Sequence, residues 1–281
     1  LSKPCSTRRS DVGAAALSGL TRRGLVASSL FLAARGAQAA PRQARAWLSY
    51  HDRLVERLED AGGGRFQPGL ARSLFDLSNG ARGAAKVAAL AWHEELAATA
   101  RAHAADLAHR SYVEHLSPEG FDPTDRLGLI GRRFLGSTSE NIASRRGIEP
   151  NTADLLFGQW RRSPPHWYNL RRARHTHAGF GVVRKGERFY AVGLYARPDG
   201  ALSVELPFQV ERSERLLQAI DGVDPALRPL AFAAGAEEGP GYAVQAIGQA
   251  PSGAYQLQLE RQLTPRGKAY ILGPVFWWPG S

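Results

Sequence analysis

The stretch that decides the fold runs from His115 to Val183. It holds His115-Leu-Ser-Pro-Glu-Gly120, Glu140-Asn-Ile-Ala143, Trp160-Arg-Arg-Ser163-Pro-Pro-His166-Trp-Tyr-Asn169 and Gly179-Phe-Gly-Val-Val183. Two histidines and one carboxylate sit on three separate segments. Each is wrapped in turn or helix-end residues, and a strand hairpin follows. The spacings of 25 and 26 residues exclude any local helix geometry between them, so only the fold can unite them. Loop and helix-end positions are where site residues tend to lie. Pro164-Pro165 cannot continue the preceding helix in regular form. Together these segments suit a cleft that gathers two neutral imidazoles and a carboxylate.

Working outward, Trp47, Tyr50, Leu54 and Leu58 recur at three and four residues and predict a helix over 46–60, ended by Ala61-Gly-Gly-Gly64. Leu70, Leu74 and Leu77 predict a second over 69–80. A third begins near His93, with Leu96, Ala100, Ala104 and Leu107 on its buried side and alanines that allow close packing. A fourth spans Thr152–Arg162, capped by Asn151 or Thr152. Residues 179–184 and Arg188–Ala196 flank Lys185-Gly186-Glu187 as a hairpin. Residues 202–210 read as a further strand. Past residue 200 a short helix, Ser213–Ile220, precedes strands over 242–249, 254–261 and 269–276. Tyr255-Gln-Leu257-Gln-Leu259 alternates strictly, so one face packs. Three or four strands are marginal alone, so this part is expected to pack against the first. Trp277-Trp278 reads as capping its core.

The chain has 281 residues, 43% of them hydrophobic, enough for a sizeable core in one or two domains. Its formal charge is +10, but residues 1–39 hold six basic residues and one acid, which leaves +5 for the rest. Outside short runs such as Arg171-Arg-Ala-Arg174, no basic block suits a phosphate backbone, so nucleic acid is not an expected partner. Arg22-Arg23, the apolar run from 25 to 34 and Ala37-Gln-Ala39 read as a twin-arginine export signal over 1–39. That run is shorter than the ~20 residues of a bilayer span, and no other segment reaches that length. The mature chain is therefore expected without a transmembrane segment, in the periplasm or outside the cell. Cys5, the one cysteine, lies in the signal, so the remainder has no disulfide, thiolate nucleophile or cysteine metal site.

Several pieces also fall in a known order. Leu74-Phe-Asp-Leu-Ser-Asn79-Gly-Ala-Arg82 is followed by Leu90-Ala-Trp-His-Glu-Glu-Leu96, Ala100-Arg-Ala-His103-Ala-Ala-Asp106 and Pro123-Thr-Asp-Arg126. Glu140-Asn141-Ile142, Trp160, Ser163-Pro164, His166, Asn169 and the glycine hairpin complete the series. The ordered set, over about residues 69–197, resembles the bacterial branch of the CAP superfamily, the cysteine-rich secretory, antigen 5 and pathogenesis-related proteins that share the SCP domain. The resemblance implies an α+β fold: an α-β-α sandwich with a small antiparallel sheet between helical layers and a broad cleft. The expected organisation is an export signal over 1–39, an N-terminal helix and linker over 40–68, a CAP/SCP-like domain over 69–200 and a small C-terminal β-rich extension over 201–281. Carried over residue by residue, His115 and His166 are the cleft histidines and Glu140 is the first cleft acid. Many eukaryotic members have a second glutamate where this chain has Ser163, a departure that weakens any mechanism needing two carboxylates.

Two imidazoles and a carboxylate suit Zn²⁺ or another divalent metal with a position left open for water. His115, His166 and Glu140 are thus the candidate ligands, and Asn141, Ser163 and Asn169 line or support the cleft. Glu140 has the alternative role of orienting a histidine through its other N–H. No further general base and no nucleophile beside a base stands out. The sequence therefore favours an exported, non-catalytic cleft for a divalent metal and a lipid or cell-envelope ligand. The alternative is a peptidase-like, metal-dependent hydrolase using His115, His166 and Glu140, which needs the Glu140 pKa shifted toward neutral. His93-Glu-Glu-Leu-Ala97 lacks the second histidine of a zinc-protease helix. His103 and His109 are assigned surface or packing roles, and His175-Thr-His177 a solvated loop.

Overall fold

In the computed structural model, the described residues are 44–236, 239–265 and 267–280; the expected export signal over 1–39, with Cys5, lies outside them. The helices are α1 (Ala44–Asp60), α2 (Pro68–Ala84), α3 (Glu94–Arg110), α4 (Pro123–Ile130), α5 (Thr152–Arg162), α6 (Pro164–Leu170) and α7 (Ser213–Ile220). The strands are β1 (Arg65–Phe66), β2 (Ala91–Trp92), β3 (Phe134–Leu135), β4 (Thr138–Arg146), β5 (His177–Lys185), β6 (Arg188–Ala196), β7 (Gly200–Ala201), β8 (Arg228–Ala233), β9 (Tyr242–Ala243), β10 (Gly253–Thr264) and β11 (Gly267–Trp278).

The central sheet runs β1-β5-β6-β4, with β2 parallel beside β5. In the β5–β6 hairpin Lys185 pairs with Arg188, so Gly186-Glu187 is a two-residue turn, and Gly186 takes a φ of 58° that favours glycine. Neighbouring residues on a strand face opposite ways. Ile142, Val183 and Val192 join Leu96, Ala100, Ala104 and Leu107 of α3 in one core. Ala143, Val182 and Ala191 join Leu74 of α2 and Leu156 and Trp160 of α5 in the other. The result is the α-β-α sandwich. Helix α3 lies almost on the sheet backbone: a Cβ on Gly179 or Gly181 would stand 2.1 Å from Ala97 N or 2.3 Å from Arg101 N.

The second sheet has the order β11-β10-β8-β9. Tyr255, Leu257 and Leu259 point into a core with Leu206, Leu216 and Phe276. Its other face gives Ala254 and Val275 to Trp47, Tyr50 and Leu54 of α1 and to Leu129 and Ile130 of α4. Helices α1 and α4 touch both α3 and this sheet, so the C-terminal strands do pack on the rest. Trp278 is buried in the second core, as its position suggests.

Two expectations fail. Residues 202–210 form no strand; Leu202, Leu206 and Val210 are buried at a spacing of four. Their backbone is tied instead to Arg132, Arg133 and Trp277. Only Tyr242–Ala243 of the strand expected over 242–249 is extended, because Val244–Gln249 winds into a 3₁₀ turn that buries Val244 and Ile247. Pro164-Pro165 does not continue α5, as expected; it starts a new helix, α6, in which the missing N–H groups cost nothing. Strand β8, which the sequence did not suggest, has Pro229 near its start, where proline is tolerated.

Candidate functional site

The site is built over β4, the edge strand of the central sheet. Glu140 and Asn141 are adjacent there and face opposite sides. Glu140 meets α3, where His103 Nε2 is 3.7 Å from Oε2. Asn141 meets α6, its Nδ2 donating to His166 O at 3.0 Å.

The sequence Asp122-Pro-Thr-Asp125 forms a capping box that fixes the start of α4, with Pro123 in the first turn. The next residue, Arg126, is fully buried. Its Nη1 donates to Phe121 O at 2.9 Å, and its Nη2 to His115 O at 2.9 Å and to the Glu140 oxygens at 3.2 and 3.0 Å. One guanidinium thus ties the backbone of the His115 loop to the carboxylate of β4.

Burial alone would push the Glu140 carboxyl up. The Arg126 charge, with His103 and His115 beside it, outweighs burial and holds it at about 2. Glu140 is therefore a carboxylate near neutral pH, and His115 Nδ1 donates to Oε1 at 2.9 Å. With its proton on Nδ1, a neutral His115 ring keeps a lone pair on Nε2. His103 is held down at about 3 by burial first and the Arg126 charge next, against the pull of Glu140, so it stays neutral.

His166 lies in the first turn of α6, its Nδ1 2.8 Å from Ser163 Oγ. Burial lowers its pKa, His115 lowers it further, and Glu140 opposes both. When Nδ1–H donates to Ser163, the His166 Nε2 is also left with its lone pair. Asn169 Nδ2 donates to Asn141 Oδ1 at 3.0 Å, and Asn169 Oδ1 accepts from Ser139 Oγ at 2.8 Å. Helix α6 is thereby fastened to β4 on both sides of Glu140.

The His115 and His166 ring centroids are 6.1 Å apart. Two imidazoles sharing one Zn²⁺ at ~2.0–2.1 Å per nitrogen have centroids roughly 5–6.5 Å apart, a range that includes this separation. Among the described residues, no three His, Cys, Asp or Glu side chains gather as a metal-holding group. Glu140, expected as a third ligand, has its oxygens engaged by Arg126 and His115.

The family model of CAP, the cysteine-rich secretory protein family, matches residues 75–195, a span that includes every residue of the site. The chain contains a domain of the CAP family. Protein YkwD of Bacillus subtilis is 28% identical over 115 residues, which is 41% of this chain and 43% of that protein. The chain thus matches less than half the length of this curated relative. An extracellular protein containing an SCP domain from Bacillus anthracis is 27% identical, with 47% of this chain and 41% of that chain covered and a TM-score of 0.39. An outer surface protein from Borrelia burgdorferi is 19% identical, with 48% of this chain and 99% of that chain covered and a TM-score of 0.43.

Within the CAP domain the structure unites His115, Glu140, His166, Asn141, Ser163 and Asn169, and adds Arg126 and His103. The capping box is the sequence signal for Arg126, because it fixes which way the first turn of α4 faces. His103 has a packing role, but its packing partner is the site carboxylate. His109 is exposed. His175 is not in a solvated loop. It is buried, with Nε2 3.2 Å from Ser139 Oγ and 3.3 Å from Asn169 Oδ1. The cause is Arg82, which collects the carbonyls of Leu170, Arg172 and His175 and draws the loop onto the domain. Asn151 makes no side-chain cap; Thr152 Oγ1 donates to Glu149 O at 2.6 Å instead.

Proposed function

We propose that this is an exported, non-catalytic CAP protein whose His115–His166 cleft binds a divalent metal. The observation that carries this reading is the matched anchoring of the two rings. Glu140 holds His115 and Ser163 holds His166, each at Nδ1, which leaves the two Nε2 atoms as donors. A bound Zn²⁺ or similar ion would supply Lewis acidity in the cleft. The chain's own part is to direct both rings and, through Glu140, to fix the tautomer of His115.

A hydrolytic role is disfavoured. A general base works best with a pKa near the operating pH, whereas Glu140 is paired with Arg126 and held at about 2. Export rests on the Arg22-Arg23 leader pattern. Among the described residues no helix is long and apolar enough to cross a membrane.

Calorimetric titration of the protein with zinc tests the reading. One site is expected, and it is lost in His115→Ala with His166→Ala; retained affinity in that double variant refutes the assignment. Turnover of a peptide panel that chelator abolishes and zinc restores would put the hydrolase in its place.

A lipid ligand has separate support. A groove of about 810 Å³ between α2 and the α5–α6 segment is lined by Leu70, Leu77, Phe157 and Trp167, with Arg161 and Arg171 balanced by Asp76 and Asp154. An apolar floor with a few charged groups of both signs suits an acyl chain with a polar end. A fluorescent fatty acid is expected to bind the wild type and not Ala81→Trp, which fills the groove; equal binding removes this reading.

A further inference from the structure

A second, smaller pocket of about 200 Å³ lies at the start of β4, lined by residues 137–139, Arg174, His175 and Arg197. We propose that it is an oxyanion subsite for a phosphate-type group.

The argument begins with charge that the fold leaves unbalanced. Arg82 is fully buried, and its hydrogen bonds end on the carbonyls of Ala88, Leu170, Arg172 and His175, not on a carboxylate. Arg172 lies over the Tyr168 ring at 5.3 Å. Arg174 and Arg197 are exposed, and among the described residues neither makes a hydrogen bond or an ion pair with protein. The acid among the lining residues is Asp199. Two guanidinium groups, Arg174 and Arg197, therefore line the pocket beside one carboxylate, and Arg82 and Arg172 add positive charge around His175. His175 registers the excess: burial first, then the charges of Arg174, Arg172 and Arg82, hold it down at about 4.

The lining suits an oxyanion and not an apolar ligand. Ser137, Thr138 and Ser139 are among the lining residues. Thr138 donates to Tyr195 O and Ser139 to Asn169 Oδ1, while the Ser137 hydroxyl has no protein partner among the described residues. Arginine in a planar fork and a free hydroxyl such as that of Ser137 are groups that recognise phosphate. The volume admits one such group and little more. Arg174 and Arg197 tie no part of the fold together, so a structural account gives them no task at this spot.

The pocket is distinct from the metal reading, since it uses neither His115 nor His166. The experiment is a titration of the full chain with sodium phosphate at constant ionic strength, with chloride as control, followed through the imidazole NMR resonances. A saturable shift at His175 is expected. Arg174→Gln with Arg197→Gln should weaken phosphate by about tenfold or more, as loss of charged hydrogen bonds implies, with the unfolding midpoint unchanged. Glycerol phosphate is the second arm: tighter binding than phosphate assigns the subsite to a phosphorylated ligand, and equal or weaker binding assigns it to the free ion. The proposal is overturned if His175 does not respond, if chloride reproduces the shift, or if the double variant binds phosphate like the wild type.

Discussion

Arg126 and Glu140 form an ion pair sealed from solvent behind His115, with Nη2 3.0 Å from Oε2 and neither side chain more than 1% exposed. The pair fixes the protonation of Glu140, and through it the tautomer of His115.

Removing one partner leaves a buried charge unpaired. Glu140→Gln or Arg126→Gln should each cost about 3–5 kcal/mol in urea unfolding. Arg126→Met combined with Glu140→Leu should recover much of that loss. A single variant with the wild-type midpoint would show that the pair is not sealed.

The orienting role of Glu140 separates from its role in stability in zinc titrations of folded protein. Glu140→Gln should lower zinc affinity by about 10–100-fold, the usual cost of losing a partner behind a ligand. Wild-type affinity in this variant would mean that His115 needs no such acceptor.

Glu119 gives a pH signature. It lies on the His115 loop, bridged by Arg53 of α1 at 2.5 Å and Arg110 of α3 at 2.6 Å. Burial pushes its carboxyl up, but hydrogen bonds from the two arginines hold it at about 2. The folded pKa is below the unfolded one, so the bridges stabilise fully above the ordinary carboxylate range, and that gain is lost as pH falls toward about 2. Partial exposure keeps the contribution modest. Between about pH 5 and about pH 2, wild-type stability should fall more steeply than that of Glu119→Gln. Parallel curves would rule the bridges out.

Two glycines should respond in opposite directions. Gly181→Ala places a Cβ 2.3 Å from Arg101 N, and overpacking of this kind costs about 1–3 kcal/mol or more. Gly80 on α2 has nothing within 4 Å of its added Cβ, so Gly80→Ala should stabilise by up to about 1 kcal/mol through helix propensity. Thermal unfolding of both variants checks the sign; a neutral Gly181→Ala would mean that α3 can lift from β5.

The export reading has its own check. Arg22→Lys with Arg23→Lys should leave the protein in the cytoplasmic fraction. Unchanged export would reject the twin-arginine route.

The sandwich was readable because its signals are local and periodic. The stripe of Trp47, Tyr50 and Leu54, the alanine face of α3 and the hairpin turn at Gly186 each appear as spacing or turn chemistry. The two histidines and Glu140 were readable from an ordered series of short motifs. Arg126 and His175 were harder to find, since their burial depends on carbonyls and carboxylates distant in sequence. Residues 202–210 misled for a related reason: Leu202, Leu206 and Val210 suit a buried irregular segment held by arginine side chains, and no local pattern distinguishes that from a strand.

Phe121 lies within the segment that matches the CAP family, but the rings that hold it do not. Tyr50 stacks on it at 4.3 Å, and Trp47 meets it edge-on at 4.8 Å. Both belong to α1, upstream of residue 75. A protein trimmed to the homology boundaries would therefore keep both histidines and lose the support behind the loop that carries one of them. Its failure to bind would report on where the chain was cut, and would say nothing about the cleft.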